Sequence, residues 1–496
     1  MKRTNTSCFG TLVRPSSLAP GLHETTTADV TSTIIVSWEG PNDPRKPTNW
    51  SFTRKWGIVV TTSLATFMVS FGSSVYSAAV TQLQADFDIS VTVSRLGISL
   101  YLFAFAFGPL VWGPASELYG KSRPLWAGYL LFCVFQIPCA VAKNVSTLLV
   151  FRFLAGLAGS SILAILGGMY IEFLLHPTER GMSTAIYSLA TFSGPAVGPI
   201  LGNIVTVKLD WSWTAWITLI GGAFFGVIAY AVTPETSEAV ILHWKAQKLR
   251  KDTQNGCYRS QSEDEHADIS TFVRKYLTKP PRMIVQEPIL IFFTIYMSLA
   301  YGIIYLTFTM YPIAFVRNRG WARIEGSLPF LGILVGVTIA CALLAIHNIY
   351  YVSPKFSETQ VHIPERRLPP MILGSAVLPA GIFWFAWTSD PEIHWAPQVL
   401  SGLFIGCGTI MVFMSGVVYL IEVYLVHANS AMAINNLVRS AFAATFPLFA
   451  TDLFIDAGME VGGSIIGGVC LGLMPFPLIF WSQGHRIRSW SRFASH

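Results

Sequence analysis

The sequence predicts an all-α polytopic membrane protein, with twelve transmembrane helices arranged as two pseudo-symmetric six-helix bundles. Three observations carry this. Of 496 residues, 52% are hydrophobic and only 12% charged, with a mean hydropathy of +0.51. A soluble domain carries about 25% charged residues, so this chain cannot cover a water-facing surface of its size. That excludes a soluble enzyme, a disordered scaffold and a nucleic-acid binder. Second, the apolar residues fall in runs long enough to cross the ~30 Å hydrocarbon core of a bilayer. Third, one polar segment, residues 233–287, divides those runs six and six.

In chain order, residues 1–55 form a polar tail rich in Ser, Thr and Pro, without the apolar core of a secretory signal. The first bundle, 56–232, holds helices expected at 57–80, 94–117, 124–142, 147–175, 181–207 and 211–232. The linker, 233–287, includes a basic stretch from Ser237 to Lys251. Val240, Trp244 and Leu249 give it an apolar face suited to the inner membrane surface. The second bundle, 288–482, holds helices expected at 288–315, 326–348, 370–388, 394–421, 428–456 and 461–481; residues 483–496 form a short tail. Two matched sets around one linker is the plan of a transporter built from repeated halves.

The net charge of +6 reflects orientation. With the N-terminus inside, the inner segments collect Lys2, Arg3, Arg14, Arg45, Lys46, Lys121, Arg123, Arg180, Arg274, Lys275, Arg366, Arg367, Arg486 and Arg488, among others. The outer loops keep only Lys143, Lys208, Arg317, Arg319 and Arg323, with Arg95 at a boundary. An even helix count then places both termini in the cytosol. Cys133, Cys139, Cys341, Cys407 and Cys470 lie in apolar runs and Cys8 and Cys257 in polar ones, with no C-x-x-C spacing. They read as small buried hydrophobes. The Asn144 sequon lies in a short outer loop, whereas those at Asn5 and Asn49 face the cytosol.

Three segments carry the chemistry. The loop after the second helix runs from Gly113 through Glu117, Gly120 and Lys121 to Arg123; Gly120 supplies backbone freedom for a tight turn. Arg152 lies inside the fourth helix, followed by Gly156 and Gly159. An arginine in hydrocarbon costs at least about 2.5 kcal/mol, so it must face a polar interior or neutralise backbone carbonyls. The fifth helix carries Gly194, Pro195, Gly198, Pro199 and Gly202; the prolines bend it and the glycines admit a close neighbour.

With these segments in order, the chain resembles the major facilitator superfamily, in particular its fungal twelve-helix drug:proton antiporter branch. Glu117 stands where many members have Asp. Pro234-Glu235-Thr236 resembles the branch's exit from the first half, and Pro364-Glu365-Arg366-Arg367-Leu368 a degenerate counterpart of the first signature. Asn435, Asn436 and Arg439, before Phe446-Pro447, resemble its eleventh helix. The branch commonly carries an acid near the end of the seventh helix; Phe308 to Pro312 has none, unlike polyamine exporters. The resemblance implies alternating access of two halves driven by proton entry. Glu117 would meet the start of the eleventh helix near Asn429 and Ser430, Arg152 would couple to protonation, and the fifth-helix motif would seal and hinge the halves.

The expected cavity is lined by Tyr170, Tyr187, Tyr301, Tyr305, Asn435, Asn436 and Arg439. Aromatic walls with few polar groups suit a bulky amphipathic molecule. The deep charges, Arg152 and Arg439, have no acid at mid-membrane depth to accompany them. A polyvalent cation would need one, so the expected substrate is a neutral or weakly acidic lipophilic compound: a drug, toxin or fungal secondary metabolite. The partners are then the lipid bilayer, a small molecule and protons, with a proton gradient and no bound cofactor. The expected form is a monomer in the plasma membrane. An importer of a small nutrient and a polyamine exporter are the alternatives. Catalytic and phosphate-loop motifs such as H-E-x-x-H, G-x-S-x-G and Walker A are absent from the sequence, which argues against an enzyme or ATP-driven pump.

Overall fold

The computed structural model describes residues 22–25, 33–254, 256–260, 279–355, 363–489 and 491–493. Cys8, the Asn5 sequon and the basic residues Lys2, Arg3, Arg14, Arg274 and Lys275 lie outside them.

Among the described residues, twelve helices cross the molecule. The first bundle contains α1 (Phe52–Phe87), α2 (Val91–Tyr119), α3 (Ser122–Ala140), α4 (Val145–Phe173), α5 (Pro177–Lys208) and α6 (Trp213–Val232). The second contains α7 (Pro288–Asn318), α8 (Glu325–Lys355), α9 (Pro369–Trp387), α10 (Trp395–Tyr424), α11 (Ala428–Ile455) and α12 (Met459–Arg488). Eleven are long and apolar enough to span a membrane. In α3, 19 residues long, Arg123 and Gln136 lower the hydropathy. It is held by neighbours instead, packing on α4 and α6.

Local chemistry sets the ends. Ser90 caps α2 by accepting from the Val93 amide at 3.3 Å, and Asn144 caps α4 by accepting from Thr147 at 2.7 Å. Proline opens α5, α7 and α9, where its missing N–H costs nothing. Deeper irregularities mark where helices bend: a 3-10 turn at Val75–Ala79 in α1, π-helical turns at Pro312–Asn318 and Asn348–Val352, and a break before Pro475 in α12.

The packing repeats with a six-helix shift. In the first half α1 packs on α5, α2 on α4, and α3 on α4 and α6; in the second α7 packs on α11, α8 on α10, and α9 on α10 and α12. The halves meet through two crossed pairs, α2 with α11 and α5 with α8. The most apolar windows of α1, α7 and α10 are 78%, 83% and 78% buried, against 28% and 33% in α6 and α12. The first group therefore forms the centre and the second the rim. On α6, Phe224, Val227 and Tyr230 are left open, as suits a helix that faces the lipid of a membrane.

Both described ends and the linker lie on one face, called here the linker face; the other is the far face. The polar stretch before α1 carries more structure than its composition suggests. Strand β2 (Thr33–Val36) pairs antiparallel with β1 (Leu22–Thr25) and parallel with β3 (Tyr258–Arg259) of the linker. Trp50 is buried against Phe173, ring centroids 6.0 Å apart. The linker helix (Glu238–Thr253) forms where the basic stretch predicts it. Its Trp244, however, is not free for lipid: Arg123 lies over the ring at 4.7 Å, and Lys245 pairs with Glu39 at 3.1 Å. The helix is docked on protein because its charges find partners there.

Candidate functional site

Where the halves touch on the linker face, both crossed helix pairs are fastened. At α2–α11, Asn429 Nδ2 donates to Glu117 Oε1 at 3.3 Å. The carboxylate sits beside the first turn of α11, where unpaired amides favour negative charge. At α5–α8, Thr178 and Ser353 share a hydrogen bond of 2.6 Å between their hydroxyls. Asn348 packs against Gly181, where a Cβ would come within 1.9 Å of its Nδ2. Arg367 holds Asn348 from behind, donating to Oδ1 at 2.7 Å while pairing with Glu422 at 2.8 Å. Towards the far face, a cleft of about 630 Å³ lies between Gln82, Thr206 and Val207 of the first half and Ala322 to Glu325 of the second.

Between the two faces the interface is filled by side chains of both halves. Arg439, twelfth of the 28 residues of α11, lies at mid-depth. Its guanidinium sits 4.6 Å from the rings of both Tyr301 and Phe413, and donates to Asn436 Oδ1. Asn436 in turn donates across the interface to the Phe105 carbonyl at 3.0 Å. Phe192 of α5 closes the cage, 5.1 Å from Phe413 and 6.1 Å from Tyr301. Tyr305 shares hydrogen bonds with Tyr301 and, across the interface, with Ser73, each 3.2 Å. Of the expected cavity residues, Tyr301, Tyr305, Asn436 and Arg439 thus come together, and Tyr187 lies within electrostatic reach of Arg439.

Two others face elsewhere. Tyr170 is buried inside the first half, sharing a 2.7 Å hydrogen bond with Thr62. Asn435 turns from the interface into the second half, donating to Thr294 at 3.0 Å. On a helix, neighbours in sequence point about 100° apart, so Asn435 and Asn436 cannot share a face.

Arg152 takes the carbonyl option. Nη1 donates to the Gly72 carbonyl at 2.8 Å and Nε to that of Gly97 at 3.2 Å; the guanidinium lies 4.6 Å from the Tyr76 ring and 4.5 Å from that of Tyr101. It is eighth in α4, about 11 Å along the helix from its far-face end, wholly inside the first half. A void of about 10 Å³ beside it, bordered by Gln136 and Thr214, has room for one water.

The fifth-helix glycines form a stripe, and the structure identifies the close neighbour that the sequence left unnamed. A Cβ on Gly194, Gly198 or Gly202 would meet Ser70 and Phe71, Ser74, or Val75 and Ala78, all on α1 of the same half. The stripe therefore locks α5 to α1 within one bundle, and α5 meets the second half through α8. Pro195 and Pro199 lie within the same helix. Gly156 brings α4 against the Tyr101 carbonyl of α2, where a Cβ would lie 2.5 Å away. Gly113 has open space around it.

Three buried acids complete the linker face: Glu235 and Glu365, in segments that the family resemblance marked, and Glu287, which sequence reasoning did not single out. Glu235, after α6, accepts from the amides of Lys121 (2.8 Å), Ser122 (3.2 Å), Thr236 (3.1 Å) and Ser237 (3.0 Å). It clasps the α2–α3 turn to the end of α6, and Gly120, at φ +88°, leaves it room. In the second half Glu365, before α9, pairs with Arg488 at the end of α12 at 2.9 Å. Glu287, fully buried before α7, accepts from Tyr424 (3.1 Å), Ser491 and the amides of Arg492 (2.8 Å) and Phe493 (3.2 Å). The only signal in the sequence is an acid beside proline at a helix boundary.

Two repeated bundles meeting at crossed helix pairs around a mid-membrane cage define a secondary transporter. Residues 62–447 match the Major Facilitator Superfamily, and the chain belongs to that family; it is a multi-pass membrane transporter, not an enzyme. Among its curated relatives are the citrinin biosynthesis cluster MFS transporter mrr1 of Monascus ruber, 45% identical over 99% of this chain and 98% of the relative, and the ascochitine biosynthesis cluster MFS transporter of Didymella fabae, 38% identical over 93% and 89%. Similar solved structures include the proton:xylose symporter XylE (TM-score 0.63, 14% identity, 87% and 96% covered). Another is the peptide transporter POT (TM-score 0.59, 14% identity, 90% and 98% covered). At that identity they show the fold alone.

Proposed function

We propose that this protein exports a lipophilic, ring-bearing secondary metabolite from the cytosol, by proton antiport with alternating access. The observation that carries the reading is the cage of Phe192, Tyr301, Tyr305 and Phe413 around Arg439. Both halves build it, and it lies between a fastened linker face and a cleft on the far face. A site at the junction of two rigid bundles opens to either side as they rock. The relatives named for the citrinin and ascochitine clusters support a metabolite as cargo.

In this reading the linker face is cytosolic, the membrane is the plasma membrane and the working unit is a monomer. Glu117, near Asn429, holds the cytosolic side shut; Gly113, Gly120, Lys121 and Arg123 shape the turn that presents it. Arg152 and Gly156 fix the geometry of the first half next to the proton path, and Gly194, Pro195, Gly198, Pro199 and Gly202 make α1 and α5 move as one piece. No resident cofactor is required, since the gradient supplies the energy.

The test uses inside-out plasma-membrane vesicles carrying the full chain, with citrinin as probe. Acid-inside vesicles accumulate citrinin, a protonophore collapses the accumulation, and Glu117→Gln lowers it about tenfold or more. Accumulation that ignores the pH gradient rejects proton coupling; accumulation only with the opposite gradient makes the protein an importer.

A further inference from the structure

We infer that Arg439 is an anion-recognition site and that the cargo is a planar organic acid carried as its anion, bound by the guanidinium edge with its ring between the cage aromatics. The inference rests on the export reading above and names its substrate class.

The electrostatics point one way. The ionisable groups acting on Arg439 are the hydroxyls of Tyr187, Tyr301 and Tyr305; no carboxylate is among them. Its positive charge therefore stands uncompensated at mid-depth, where an arginine is costly and marks a ligand path. The aromatic rings cover its faces, leaving its planar edge to make directed contacts. On that edge, Asn436 Oδ1 takes one Nη donor, and the buried Nε has no partner. A carboxylate, with two oxygens matched to the guanidinium fork, is the group that fills this vacancy and cancels the charge.

The contrast with Arg152 locates the site. Arg152 spends Nε and Nη1 on carbonyls within one half, and its unpaired Nη2 is likewise buried inside that half rather than at the junction of the two. Arg439 is tied instead to an amide that itself bridges the interface to Phe105. When the halves separate, that bridge breaks, Phe192 withdraws from Phe413, and the edge of Arg439 becomes open to cargo. Recognition is thereby linked to the motion: in the closed form shown here Asn436 stands in for the anion.

The test measures equilibrium binding of radiolabelled 1-naphthaleneacetate and of 1-naphthaleneacetamide, same ring but uncharged, to the purified full chain at neutral pH. The acid is expected to bind about tenfold or more tightly than the amide. Arg439→Gln should remove that preference, with its size-exclusion profile and melting curve reporting that the variant is folded; Arg439→Lys should retain part of it. Equal affinity for the two probes, no measurable binding of the acid, or a preference that survives in R439Q overturns the inference. Proton-driven flux in vesicles is read separately. A preference without flux would remove the export reading and leave the anion site, and flux without a preference would do the reverse.

Discussion

Asn429 at the start of α11 and Glu117 at the end of α2 are brought within 3.3 Å although 312 residues separate them in the chain. The contact joins one half to the other across the linker face, and the carboxylate also benefits from the unpaired amides of the α11 first turn. Glu117→Gln keeps a hydrogen-bond acceptor but loses the charge. Its export should fall about tenfold or more, with retention volume on size exclusion unchanged, since about 1.4 kcal/mol lost from one state is a tenfold population shift. Asn429→Asp, which sets two carboxylates face to face, should be worse. Normal export in both variants would show that this contact does not govern the gate.

A second expectation concerns Glu235, which gathers four backbone amides from two loops. Hydrogen bonds to a charged group contribute roughly 1.5–3 kcal/mol. Glu235→Gln should therefore cost about 2 kcal/mol and lower the melting temperature of the purified protein. Gly120→Ala should be at least as damaging: its φ is +88° and the new Cβ would lie 2.4 Å from Glu235 Oε2. Gly468→Ala, on α12 with nothing within 4 Å of a Cβ, is the matched control and should melt like the wild type.

The tail and Glu287 make a prediction whose sign reverses. In the full chain Glu287→Gln weakens four donor contacts and should destabilise. Deleting residues 489–496 leaves a buried carboxylate with one side-chain partner, Tyr424, and should destabilise more. In the truncated chain the same Glu287→Gln removes that stranded charge and should restore stability. Melting curves of the four proteins form a double-mutant cycle; additive effects would mean that the acid and the tail act independently.

For the α1–α5 seam, Gly198→Ala should lower both expression and export. Its Cβ would come within 1.9 Å of Ser74 Oγ and 2.9 Å of the Val75 backbone nitrogen. Ser74→Ala should give only partial relief, because the backbone clash remains. Full recovery in the double variant would show that the side chain alone sets the spacing.

Much of this was legible in the residues. Apolar runs reveal membrane helices without tertiary information, because every turn of such a helix must be apolar whichever neighbour it meets. Even the weakly apolar α3 is marked by its position between two loops. The approach of Glu117 to the α11 terminus was implied by the family resemblance, not by the residues themselves, and the two do meet. What pairs with backbone is not legible: Arg152 selects the carbonyls of Gly72 and Gly97, and a carbonyl has no sequence signature. The glycine spacing of α5 announces a close neighbour but not which one, so α1 was revealed only by the fold. The clasp made by Glu235 and the whole role of Glu287 were not legible because their partners are main-chain amides and hydroxyls rather than the opposite charges a reader of sequence searches for.

The buried clasps have a consequence for how the molecule could be made. Glu235 ties α3 to α6 on one side, and Glu365 with Arg488 ties α9 to α12 on the other, so each bundle is buckled shut by its own acid. A gene cut inside residues 261–278 and expressed as two separate open reading frames should therefore yield fragments that insert independently and reassemble into a working whole.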